Sequence, residues 1–112
     1  MVTTMKTHAV AEILGLRVLA GKIPEEYFGV YAGDLLSRAM SHVAEGDLWI
    51  TIMSNVNVIA VASLTEAAAV ILAENVTMEK DVLAAAEAKG ICVLASDKTV
   101  YEICRGIASS ES

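Results

Sequence analysis

Four short polar runs carry most of the side chains in this sequence that could do chemistry. They are Gly33-Asp34, Ser54-Asn55-Val56-Asn57, Glu74-Asn75 and Ser96-Asp97-Lys98-Thr99. Carboxylates, amides and hydroxyls of this kind hold a small polar ligand by hydrogen bonds. The candidate ligand set drawn from them is Asp34, Ser54, Asn55, Asn57 and Asp97. Each member also has a plain structural use. Asp34 suits the N-cap of a following helix, where an acid satisfies backbone donors but would repel a phosphate. Ser54 suits the cap of the next helix, and Asp97 with Thr99 the cap of the last. Asn55 and Asn57 are poor residues for a helix interior, so they serve the turn, a subunit boundary or a ligand.

Signatures of catalysis are missing from the sequence. It contains neither G-x-x-x-x-G-K-[ST] nor G-x-G-x-x-G, the loops that cradle nucleotide phosphates. His8 and His42 have no Cys, Asp or His at ligand spacing, and Ser37 has no base placed to activate it. Cys92 and Cys104 make neither a disulfide framework nor a metal-binding pattern, which suits two reduced thiols in the cytoplasm. The expectation is a protein that is not an enzyme and holds no metal or cofactor.

The elements that must position the polar runs follow from the apolar text between them. Leu48 to Ile52 is short, β-branched and aromatic, as in a buried strand, and Asn55 to Glu66 then has helical length. The unit recurs: a strand near Phe28–Ala32 and a helix from Asp34 to Val43, a strand Ala68–Ala73 and a helix from Thr77 to Gly90, a strand Ile91–Ala95 and a helix opened by the capping box Thr99-x-x-Glu102. A helix near Thr4–Leu14 and a strand Arg17–Ala20 precede them. In the helix from Asp34, Leu35, Leu36, Ala39, Met40 and Val43 share one face. Strands about 20 residues apart with a helix in each gap predict parallel pairing. The fold class is therefore α/β: one three-layer domain over residues 1–112, a mainly parallel sheet of about five strands with helices on both faces, and a disordered tail at 109–112. In such sheets ligands sit beyond the carboxyl ends of the strands, where the polar runs fall.

Charge and composition narrow the partners. A net charge of −6 with eight scattered basic residues argues against nucleic acid and against an anionic membrane surface. The uncharged stretch 48–65 is long enough for a membrane span, but Ser54, Asn55 and Asn57 would lie near its centre. The N-terminus has no apolar run long enough for a signal peptide. The helix from Asn55 is apolar all round, and one face is enough to cover a sheet. Val56, Ile59, Ala60 and Ser63 are therefore expected at a homodimer interface.

Several stretches resemble the DRTGG domain family: Gly33-Asp34-Leu35-Leu36-Ser37, Gly46-Asp47-Leu48-Trp49-Ile50-Thr51 and Asn57-Val58-Ile59-Ala60-Val61-Ala62, within a similarity from Val10 to Ile107. Stand-alone members are often labelled HPr serine kinase-like, yet the phosphate loop belongs to a separate domain that is absent here, so the kinase label does not carry over. The resemblance implies a parallel α/β domain, a homo-oligomer and a regulatory role. That role is either action on a partner protein or the sensing of a small ligand such as an adenine nucleotide. Where many such domains read Gly-Asp-Arg, this chain has Ser54-Asn55-Val56, which removes the cation most useful to an anion.

Overall fold

A computed structural model describes residues 5–111. Its order is β1 (Met5–Lys6), α1 (Thr7–Leu14), β2 (Arg17–Ala20), β3 (Glu26–Tyr27), β4 (Gly29–Ala32), α2 (Leu36–His42), β5 (Asp47–Thr51), α3 (Val56–Thr65), β6 (Ala69–Leu72), α4 (Lys80–Lys89), β7 (Val93–Ala95) and α5 (Val100–Glu111). Every residue of β5, β6 and β7 is buried, as strands covered on both faces must be. They form the middle of a five-stranded sheet in the order β2-β7-β6-β5-β4. β4 through β7 are mutually parallel, and β2 joins β7 antiparallel with a bulge between Val18 and Ala20. The expected α/β sandwich with a mainly parallel sheet is the fold observed.

Successive parallel strands are neighbours, so crossovers of one hand place their helices on one face. α2, α3 and α4 share a core there: Ala39, Val43, Val58, Ile59, Ala62, Val82 and Ala86 pack on Trp49, Val70, Leu72, Val93 and Ala95. The alternate strand residues Leu48, Ile50, Ala69, Ile71 and Leu94 face the other way. They meet Val10 and Leu14 of α1 and Ile103 and Ile107 of α5. Three helices thus cover one face and two cover the other.

Several local expectations are corrected. Residues 109–111 are the last turn of α5 rather than a disordered tail, because the Tyr27 hydroxyl donates to Glu111 at 2.6 Å across 84 positions of sequence. The expected tail residue Ser112 lies outside the described residues, as does Thr4. α1 begins at Thr7, and the chain before it pairs with β3 in a two-stranded ribbon that no sequence pattern announced. Asn55, and not Ser54, caps α3, its Oδ1 accepting from the Asn57 amide at 2.9 Å. Leu35 and Met40 are exposed rather than part of the buried face of α2. The capping box of α5 forms as expected: Thr99 N donates to Glu102, and Glu102 N donates to the Thr99 hydroxyl.

Candidate functional site

The strand ends deliver the polar runs to one rim of the sheet, but they do not gather them into one site. Asp34 does not cap α2, whose N-cap position is Leu35 without a side-chain bond. Its Oδ1 instead accepts from the Thr51 hydroxyl at 2.8 Å and from the Ile52 amide at 3.1 Å, tying the loop after β4 to the end of β5. The indole of Trp49 supports the same loop by donating to the Gly33 carbonyl at 3.1 Å. Asn57 is exposed on α3. Asp97 is exposed beyond β7, two strands from β5 and therefore roughly 10 Å away at ordinary strand spacing.

Neighbouring connections diverge between β6 and β7, one leading to α4 and the other to α5 on opposite faces. That is where an open sheet usually holds its ligand. Here the gap is closed by backbone: Glu74 N donates to Lys98 O and Asn75 N to Ser96 O, each at 2.8 Å. Glu74 and Asn75 take left-handed backbone, φ 58° and 62°, to make the turn, and Arg17 donates to the Asn75 side chain at 3.3 Å.

A cavity of about 370 Å³ opens instead between the N-terminal ends of α3 and α4, lined by Ser54, Asn55, Val56, Glu79, Asp81 and Val82. Two of its members, Ser54 and Asn55, belong to the expected ligand set. Glu79 and Asp81 were missed. They begin the helix that follows the Glu74-Asn75 run, so the same rim argument carried one helix start further would have reached them. The lining is rich in acceptors and holds no cation. It suits amino and hydroxyl groups and opposes phosphate. Cations lie elsewhere: Lys98 and Arg105, with Glu102, Gly106, Ser109 and Leu14, line a cavity of about 300 Å³ beside α5. Bonds from the Thr99 backbone and side chain hold Glu102 below the usual carboxylate range.

Among the described residues no three His, Cys, Asp or Glu side chains group as around a metal ion. His42 stacks on Tyr31 with ring centres 6.1 Å apart. Burial pushes the Cys92 thiol up to about 11 and raises Cys104, the reverse of what a reactive thiolate needs. Of the expected interface residues, Val56, Ala60 and Ser63 fall on one face of α3 by their spacing, and Ile59 does not reach the surface. Ile59 is 1% exposed and packed in the core, Val56 and Ala60 are exposed, and Ser63 is half-buried. No described helix is long and apolar enough to cross a membrane.

Comparison with curated proteins gave no match. Among solved structures the chain is similar to the CBS and DRTGG domains of the regulatory region of Clostridium perfringens pyrophosphatase, crystallised with its activator diadenosine tetraphosphate. The TM-score is 0.74 at 15% identity, over 94% of this chain and 46% of that one, so this chain spans about half the length of its neighbour. The DRTGG domain matches residues 9–110, and the chain belongs to the DRTGG domain family.

Proposed function

We propose that this chain is a regulatory module without catalytic activity of its own, which pairs with a second copy and acts on a partner protein in the cytoplasm. The observation that carries this reading is the outer side of α3. Val56 is 54% and Leu64 70% exposed, Asn57 and Ala60 are exposed between them, and Val56–Thr65 contains no charged residue. An outward helix face of a soluble domain is ordinarily charged, and an uncharged one marks a protein contact. With Ile59 in the core, the exposed face is Val56, Asn57, Ala60 and Leu64, and we assign it to the partner protein. The regulatory setting of the pyrophosphatase neighbour supports the role, and two free thiols support the compartment. Affinity capture from source cells tests the reading. One protein should be retained by the wild-type chain and lost with Leu64→Glu. Equal retention by both sinks it.

A second reading, a small-ligand sensor, is favoured by the cavity at Ser54 and Asn55 and by the nucleotide activator of the neighbour. The acceptor-rich lining suits the amino and hydroxyl groups of a nucleoside better than its phosphates. A thermal-shift screen of nucleosides and nucleotides tests this. A rise of several degrees with one compound, abolished by Asp81→Asn, supports the sensor, and a flat panel removes it.

A further inference from the structure

The two edges of the sheet are not alike. β2 carries Arg17, is followed by Lys22, and has a bulge between Val18 and Ala20. Charges and bulges of this kind keep an edge from pairing with another chain. β4 has none of these devices. The run Tyr27-Phe28-Gly29-Val30-Tyr31-Ala32-Gly33 contains no charge and no proline. Its partner on the inner side is β5, with Val30 beside Leu48 and Ala32 beside Ile50. Gly33 N donates to Ile50 O at 3.1 Å, so by alternation Tyr31 and Gly29 turn their backbone groups inward to β5, and Val30 and Ala32 turn theirs outward.

The sheet face at this edge is also bare. Val30 and Ala32 lie on the side of Leu48 and Ile50, the side covered only by α1 and α5. Phe28, Val30 and Ile52 are 45%, 39% and 40% exposed, and Ala32 is exposed. The Phe28 ring rests on Gly46, where an added Cβ would come within 2.1 Å of it.

We infer that a second copy of this chain docks on this edge, β4 against β4 and antiparallel, about a two-fold axis through Val30. The inference deepens the homodimer part of the proposed function and rests on it. The strand is complementary to itself in this register. Phe28 falls opposite Ala32 of the second copy, Gly29 opposite Tyr31, and Val30 opposite Val30, so no two large side chains collide across the edge. A glycine opposite an aromatic is a recurring way to fill such an edge. The outward groups of the two Val30 residues face each other at the axis and close two hydrogen bonds. Two copies of charge −6 meet along a strip that carries no charge, where like charge costs least. The result is one continuous ten-stranded sheet in which the bare strips of the two copies adjoin.

The test uses the full chain. Light scattering at micromolar concentration should give twice the 11.8 kDa chain mass. The exposed-site variant Ala32→Glu should give the monomer mass with an unchanged circular dichroism spectrum, while Leu64→Glu stays dimeric. In the register proposed, the two residues at position 30 are a hydrogen-bonded pair with Cα atoms roughly 5.5 Å apart, within disulfide reach. Val30→Cys should therefore form a covalent dimer under mild oxidation, and Val18→Cys on the other edge should not. A monomeric wild-type chain, a dimeric Ala32→Glu variant, a Leu64→Glu monomer, or Val30→Cys crosslinking no faster than Val18→Cys would each overturn the inference. Loss of the partner protein with Leu64→Glu is read separately, so the partner reading can stand or fall without this interface.

Discussion

Replacing Asp34 separates a structural carboxylate from a ligand contact. Its Oδ1 receives two hydrogen bonds, from the Thr51 hydroxyl and the Ile52 amide. A bond to a charged group contributes about 1.5–3 kcal/mol, and Asp34 itself is exposed, so the lower end applies. Thr51 is fully buried, and its hydroxyl already accepts from Met53 N, so Asp34→Ala strands its proton without a partner. The sum is a loss of about 2–3 kcal/mol, or roughly 10 °C in Tm for a domain of this size. Asp34→Asn keeps an oxygen acceptor at the same place and should cost about 1 kcal/mol or less. Urea denaturation followed by Trp49 fluorescence is well placed to read this. Trp49 is the single tryptophan, and its indole bonds to Gly33, next to the altered residue. An alanine variant within about 0.5 kcal/mol of wild type, the limit for an unimportant surface change, refutes the tether. In that event the carboxylate would be free to serve a ligand, and Asp34→Asn would abolish binding while leaving stability intact.

Other outcomes follow from the same structure. Gly21 and Gly15 both have positive φ, but a Cβ at Gly21 would lie 2.5 Å from the Ile91 carbonyl oxygen and 2.9 Å from the Cys92 Cα, whereas Gly15 has nothing within 4 Å. Gly15→Ala should therefore cost about 1 kcal/mol and Gly21→Ala about 2–4 kcal/mol, with equal losses in denaturant melts counting against the contact. Burial first, then the bond to Glu111 and its charge, hold the Tyr27 phenol above its ordinary range. A raised pKa means the folded state keeps a proton that the unfolded chain releases. The stabilisation is therefore complete below the unfolded value near 10 and is lost as pH rises beyond it. Tyr27→Phe should flatten the fall in stability above pH ~9 that remains once Cys92, which shifts the same way, is accounted for. An unchanged slope would break the link.

Much of the architecture was legible because hydrophobic period is a local property. Doubly covered strands such as Ala69–Leu72 read as unbroken apolar runs, and the Thr99–Glu102 box marks its helix start over four residues. α3 shows where this reasoning stops. A helix apolar all round has length but no phase, so nothing along the chain says that Ile59 faces the sheet while Val56 and Leu64 face out. The rim was legible in the same limited way. Strand ends and helix starts place Asp34, Ser54, Asn55 and Asp97 on it, but their grouping depends on which strands are neighbours.

By itself the sequence determined the α/β class, the parallel run, the caps written in adjacent residues and the lack of charge that makes α3 and β4 unusual. These follow from side-chain chemistry acting over a few residues or one helical turn. Tertiary structure alone decided which carboxylates share a cavity, that Asp34 serves β5 rather than α2, that Tyr27 holds the end of α5, and that β4 and not β2 is the open edge. Each of those joins groups far apart in the chain, and chain order does not encode a distance until the sheet has chosen its strand order and the helices their faces.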